Sequence, residues 1–121
     1  MGKAVDSIVS ARKNGRWGMV VSITGKMNIE TVPDFEKQIS SYLTENAGIV
    51  FMDLSSVAYI DSSGTGVLIR LNNMAKVAGT RIILYNLAAP VRNILERSYL
   101  DRFFTIQTAD NLRETYPGMP F

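Results

Sequence analysis

The chain contains no cysteine and no histidine. The first absence removes disulfides, thiolate nucleophiles and thiolate metal sites together. The second removes a Ser-His-Asp triad, a HExxH zinc site and imidazole general-base catalysis. Carboxylate and lysine chemistry stay open. Also missing is any apolar run near the ~20 residues that a membrane helix needs. The opening MGKAVDSIVS lacks the apolar segment of a signal peptide. Asp6 stands where a myristoylation signal places Ser or Thr. A cytoplasmic protein without membrane contact is expected.

Charge is scarce in either direction. Thirteen Lys and Arg against eleven Asp and Glu leave a net charge of +2. The densest cluster is Arg12, Lys13 and Arg16. A groove that tracks phosphates carries more cations, with aromatic residues interleaved, so nucleic acid is not an expected partner. What is present is a chain of 121 residues, 46% hydrophobic, with no repeat, low-complexity segment or linker. That is the size and composition of one small globular domain, expected to fill residues 1–121.

Periodicity gives the element order. Asn14-Gly15 predicts a two-residue type I′ turn between antiparallel strands near 5–12 and 17–24. Trp17, Met19, Val21 and Ile23 alternate with Gly18, Val20, Ser22 and Thr24, which predicts one strongly apolar strand face. Val32, Phe35, Ile39 and Leu43 repeat at helical spacing. Thr31 with Asp34 resembles a capping box, Pro33 suits a first helical turn, and Gly48 lies just past the helix end. Ile49–Met52 and Ile82–Tyr85 are continuous apolar runs, as in strands covered on both faces. Between them Val67, Leu68, Leu71, Met74, Ala75 and Ala78 trace a helical stripe that Gly79 stops. Pro90 opens a third helix with Val91, Ile94 and Leu95 inward. A short strand over 103–106 and a last helix over 110–116, ended by Pro117, complete the order β-β-α-β-α-β-α-β-α. An α/β fold with a mixed, mostly parallel sheet of about five strands and about four helices is expected.

The segment AYIDSSGTGVLIRL, residues 58–71, is where chemistry concentrates. Asp61-Ser62-Ser63-Gly64 follows a buried strand and a short loop, just where a helix begins. In open α/β sheets that edge is the usual functional one, and a helix start favours negative charge. Asp and Ser are also preferred N-caps, so plain capping explains the residues equally well. A dinucleotide fingerprint fails because Ile69 stands where its third glycine belongs. No Gly-Lys-Ser/Thr follows for a P-loop, and Gly-x-Ser-x-Gly does not occur. A nucleophilic serine has no imidazole to activate it, which leaves only a Ser-Lys arrangement for a small enzyme. A phosphoacceptor serine fits the physics. A phosphate adds roughly −1.5 to −2 charges, which the helix start tolerates, Asp61 opposes and a partner surface feels. Spacing alone leaves cap and phosphoacceptor both open.

VFMDLSSVAYIDSSGTGVLIRL, residues 50–71, closely resembles the signature of STAS domains, specifically of anti-sigma factor antagonists. SITGKMNIETVPDFEKQI and GTRIILYNLAAPVRNILERSYLDRFFTI resemble the family's flanking segments, so the resemblance spans nearly the whole chain. It implies a small mixed sheet with helices packed mainly on one face. It implies that Ser62, the first Ser after the Asp, is the phosphoacceptor, and that Asp61, Ser63, Gly64, Thr65 and Asn28 contact the partner. That partner is an anti-sigma factor and serine kinase of the GHKL ATPase type. The unphosphorylated antagonist binds it and frees a sigma factor, and a PPM-type phosphatase reverses phosphorylation. The resemblance implies a cytoplasmic binding module that is monomeric when free, with no catalytic residue, cofactor or metal. A STAS scaffold without a switch is the alternative. Gly25-Lys26-Met27-Asn28 departs from the family's Gly-x-Leu-Asp, placing a neutral amide where an acid is usual.

Further residues have plain expectations. Lys26, Met27 and Asn28 follow a strand end and share an edge with Ser62. Trp17 packs at the core edge, Met52 and Met74 fill core, and Asp53 orders a loop by a hydrogen bond. The tail YPGMPF either packs back or frays.

Overall fold

The computed structural model describes residues 7–45 and 48–121. Positions 5 and 6 of the expected first strand lie outside them. β1 (Val9–Asn14) and β2 (Gly18–Met27) form the expected hairpin. Its turn differs from expectation. Asn14 pairs with Met19, so the hairpin pairing stops short of residues 15–18, and the Gly15 N–H donates to the carbonyl of Gly18, the first residue of β2, at 2.9 Å. A type I′ turn needs positive φ at both central residues. Here neither Asn14 nor Gly15 has it. The wider loop removes that need and transfers the demand to Gly18, whose φ is 156°. A side chain at Gly18 would run into the backbone of Ile49, so the glycine also permits close strand approach.

α1 (Val32–Thr44) crosses from β2 to β3 (Ile49–Ile60), and α2 (Ser62–Val77) leads to β4 (Ile82–Tyr85). α3 (Ala89–Arg97), β5 (Thr105–Gln107) and α4 (Ala109–Thr115) follow. Among the described residues the sheet order is β1-β2-β3-β4-β5, antiparallel only at β1–β2. This is the mixed sheet that the alternation of elements predicts.

β3 has 12 residues, where the sequence predicts a four-residue strand and a loop. The segment after Met52 stays paired with β2 because two register shifts absorb its extra residues. Asp53 therefore lies inside the strand, and its Oδ1 accepts the Ser55 N–H at 3.0 Å beside the first shift. A bulge of this kind bends a strand and re-aims its side chains. The shifts carry β3 on to Ile60 and so deliver Asp61 to the sheet edge.

Three helices cover one face. Val32, Phe35, Ile39 and Leu43 of α1, Val67, Leu68 and Leu71 of α2, and Val91 and Leu95 of α3 are buried. They share one core with Met19, Val21, Ile23, Val50, Met52 and Leu84. Ala78, expected in the α2 stripe, is exposed. α2 ends as expected: Gly79 has a φ of 77°, and its N–H donates to Lys76 while the Thr80 N–H donates to Ala75. That is a Schellman stop.

The opposite face carries a second core. Val20, Phe51, Ile83 and Tyr85 are covered there by Leu112 of α4 and by Tyr116 and Met119 of the tail. The tail thus packs back. Phe121 meets Phe51 and Tyr85 edge-on at 5.0 and 5.5 Å. Trp17, on the rim of this layer, meets Tyr116 edge-on at 5.6 Å. Burial, and then the neighbouring Asp53 carboxylate, push the Tyr85 hydroxyl up to about 12, so it stays neutral.

α1 and α2 are tied across their exposed sides. Arg70 forks onto Glu36 through Nε at 2.9 Å and Nη2 at 3.0 Å. The hydrogen bond from Arg70 is the main cause that holds the Glu36 pKa below its ordinary value. The pair therefore contributes fully above that value, and its contribution fades as pH falls through the lowered one. Both groups are solvent-accessible, so the contribution is small. Urea unfolding at pH 7 and pH 3 should show a pH-linked loss that is smaller in Glu36→Gln.

Candidate functional site

The C-terminal ends of β2 and β3 converge on the start of α2. Met27 and Ile60 are register partners, and the Asp61 N–H donates to the Met27 carbonyl at 3.3 Å. The chain then turns. Asp61 is extended, with φ −122° and ψ −166°, and is the N-cap of α2. Its Oδ1 accepts the N–H of Ser63 at 2.9 Å and of Gly64 at 3.3 Å. Its carbonyl accepts the N–H of Thr65 at 3.0 Å and the Thr65 hydroxyl at 3.1 Å. Its side chain thus satisfies two of the donors that a helix start leaves free. Asp61→Ala should cost about 1 kcal/mol in urea unfolding, as loss of a cap does, whereas Asp61→Asn should retain most of the stability.

Ser62 is the first residue of α2 and is exposed; Ser63 is half-buried. Ser62 therefore offers its hydroxyl on a backbone that the Asp61 cap holds fixed. Gly64 and Thr65, expected at the partner-facing surface, are buried. What they give the turn is its shape. A Cβ on Gly64 would stand 2.7 Å from Ile60 Cγ1 and 2.8 Å from the Met27 carbonyl oxygen. Only a glycine lets α2 start so close to β2.

Asn28 sits half-buried in the turn that leaves β2. Its Oδ1 accepts the N–H of Glu30 at 3.0 Å and of Thr31 at 3.2 Å. This is an Asx-type turn. An aspartate would accept the same bonds, so the amide preserves the geometry and removes one negative charge from the edge. Thr31 does not form the expected capping box. It is the N-cap of α1 in helical conformation with no side-chain cap bond. Its hydroxyl instead donates to the Lys26 carbonyl at 2.6 Å and accepts the Asn28 N–H at 3.0 Å. Competition from these nearby backbone groups draws the side chain away from the helix.

Two side chains of this edge escape a reading by motif. Ile29 is 74% exposed and follows Asn28; Tyr59 is 46% exposed and pairs in register with Lys26. Tyr59 falls in the loop expected after Ile49–Met52, and only the second register shift sets its place in β3 beside Lys26. Ile29 could have been noticed as an aliphatic residue inside the polar turn NIET. With exposed Lys26 they give the end of the β2–β3 pair a mixed apolar and cationic surface.

Among the described residues no helix is long and apolar enough to cross a membrane. The cation cluster expected at the hairpin is dispersed: Arg12 donates to the Tyr42 hydroxyl at 3.0 Å, and Arg16 lies over Trp17.

Known proteins share this architecture. The chain resembles a putative anti-sigma factor antagonist of Thermotoga maritima, with 24% identity and a TM-score of 0.78, over 87% of this chain and 92% of that one. It resembles the anti-sigma factor antagonist SpoIIAA in its unphosphorylated form, with 20% identity and a TM-score of 0.70, over 90% and 98% of the two chains. It also resembles the Bacillus cell fate determinant SpoIIAA in its phosphorylated form, with 19% identity and a TM-score of 0.65, over 87% and 98%. At these identities the likeness is one of fold. The sequence pattern of the STAS domain matches residues 8–115, and the chain therefore belongs to the STAS domain family.

Proposed function

We propose that this domain is an anti-sigma factor antagonist whose binding is switched by phosphorylation of Ser62. The observation that carries the reading is the exposed Ser62 hydroxyl at the first position of α2, on a turn fixed by Asp61. Solved structures of the same fold include an anti-sigma factor antagonist in unphosphorylated and phosphorylated forms, which supports it. The partner is an anti-sigma factor and serine kinase of the GHKL ATPase type, and a PPM-type phosphatase restores the free serine. Ser62, Ser63 and Asn28 form the contact surface, which Asp61, Gly64 and Thr65 hold in shape. The domain is substrate and binding surface rather than catalyst, monomeric when free, and needs no cofactor. The test is incubation with the GHKL-type serine kinase of its own host and Mg-ATP, followed by mass spectrometry. Phosphate is expected on Ser62 and absent from Ser62→Ala. No phosphate at Ser62, together with partner binding that ignores the residue, overturns the reading.

A second reading, a STAS scaffold without a switch, draws on the other end of the molecule. Val77 is 90% exposed and Tyr99 is 88% exposed, far from Ser62 at the close of α2 and α3. Native mass spectrometry separates the two: a stable assembly indifferent to ATP favours the scaffold.

A further inference from the structure

We propose that Arg70 is the built-in receiver of the Ser62 phosphate, and that it leaves Glu36 to take up that role. The inference rests on the reading of Ser62 as phosphoacceptor and names the intramolecular consequence of its modification.

Ser62, Gly66 and Arg70 are spaced four residues apart along α2, so they lie on one side of the helix as successive neighbours. Helical side chains lean toward the N-terminus, which points Arg70 back along the helix toward Ser62. The structure shows that lean. Arg70 Nη1 lies 3.5 Å from the point a Cβ on Gly66 would occupy. Beyond the local helix backbone and the two chain neighbours, it is the one group among the described residues within 4 Å of that point. The guanidinium thus already reaches back over the turn from Arg70 to Gly66, and Gly66 supplies no side chain to separate it from Ser62. One turn of helix, about 5.4 Å, is all that parts Gly66 from Ser62. A phosphoserine projects three acceptor oxygens into that gap.

Charge decides the exchange. Glu36 offers Arg70 one negative charge, and both side chains are solvent-accessible, so the pair is weak and easily remade. The phosphate offers roughly −1.5 to −2 charges to a guanidinium shaped for bidentate binding. The other charges of this edge are Lys26 at the end of β2, Glu30 in the following turn and Asp61 at the cap. Asp61 is already committed to the Ser63 and Gly64 N–H groups. Lys26 is the competing receiver. Capture of Arg70 by the phosphate removes the surface ion pair between α1 and α2 and leaves the Glu36 carboxylate free on the surface. The charge change at Ser62 is thereby relayed to α1.

The experiment uses the full chain with phosphoserine installed at position 62 by genetic encoding, so no kinase is involved. Phosphorus NMR then follows the second ionisation of the phosphate with pH. The phosphate pKa is expected about half a unit lower in the parent chain than in Arg70→Gln, since a cation favours the dianion. Arg70→Lys should fall between them, and Glu36→Gln should lower the phosphate pKa further by freeing Arg70. Carbon NMR of the Glu36 carboxyl should show its pKa rising on phosphorylation. Identical phosphate titrations in the parent and Arg70→Gln, with Glu36 unmoved, overturn the proposal. So does a phosphate pKa that responds to Lys26→Gln and ignores Arg70. A failed kinase assay alongside a lowered phosphate pKa overturns the functional reading and leaves the pair standing. A successful assay with an indifferent phosphate does the reverse.

Discussion

Ser62→Asp should lower affinity for the proposed kinase partner by at least about tenfold, or ~1.4 kcal/mol, in calorimetry. On the proposed reading, the cause is a fixed negative charge on a surface that binds its partner in the uncharged state. Like charge set against a complementary surface costs more across an interface than in open solvent. Within the domain the same charge is tolerated, because it stands at the first position of α2, where the helix dipole favours an anion by about 0.3–1 kcal/mol. Urea unfolding of Ser62→Asp should therefore be close to that of the parent. The pairing of lost affinity with kept stability distinguishes a switch from simple damage. Ser62→Ala should bind within about twofold of the parent, since it removes only an exposed hydroxyl and no buried partner group. Unchanged affinity in Ser62→Asp would count against the electrostatic mechanism.

Gly64→Ala should be the most destabilising single change at this site. The added methyl would meet Ile60 Cγ1 at 2.7 Å, the Met27 carbonyl oxygen at 2.8 Å and Met27 Cβ at 3.0 Å. Met27 has no exposed surface, and its carbonyl accepts the Asp61 N–H, so the end of β2 has nowhere to retreat. Overpacking of this kind costs about 1–3 kcal/mol, with the upper part of the range expected because backbone must shift. A change near 3 kcal/mol corresponds to a melting temperature lower by roughly 10 °C in a domain of this size. Gly66, one pair of residues later, gives the contrast. Beyond the local helix and its chain neighbours, its added methyl would meet, among the described residues, only Arg70 Nη1, at an ordinary 3.5 Å. Gly66→Ala should be neutral or stabilising by up to about 1 kcal/mol, the usual gain in a helix. Thermal unfolding of both variants checks the pair. A Gly64→Ala protein as stable as the parent would mean that α2 does not start against β2.

Features set by local spacing were legible in the sequence, and features set by distant partners were not. The period-two pattern around Val21 and Ile23, the helical stripe from Val67 to Ala75 and the stop at Gly79 each express a rule confined to a few neighbours. All are present in the structure. The length of β3 is different. Asp53-Leu54-Ser55-Ser56 has loop composition, yet the shifted pairing with β2 keeps it extended. That pairing depends on residues thirty positions earlier. Asn14-Gly15 suits a tight turn by its own chemistry, but the approach of Gly18 to Ile49 sets where positive φ is needed. Thr31 has the composition of a cap and a hydroxyl drawn elsewhere by Lys26 and Asn28. At the site, the capping role of Asp61 followed from residue type. The burial of Gly64 and Thr65 and the exposure of Tyr59 did not, because each depends on how closely β2, β3 and α2 approach. The preference for Ser62 over Ser63 came from family resemblance, and the exposed hydroxyl of the first against the half-buried second agrees with it.

Trp17 is the sole tryptophan of the chain. It stands just before β2, against Tyr116, whereas Asp61 meets the far end of that strand at Met27. Ten residues of β-strand put roughly 30 Å between those ends. The indole is thus a natural fluorophore placed where the hairpin meets the tail, out of reach of a charge at Ser62. Its emission reports denaturation of the whole domain while staying blind to the state of the serine. Stability can therefore be compared between phosphorylated and unphosphorylated protein without attaching any dye.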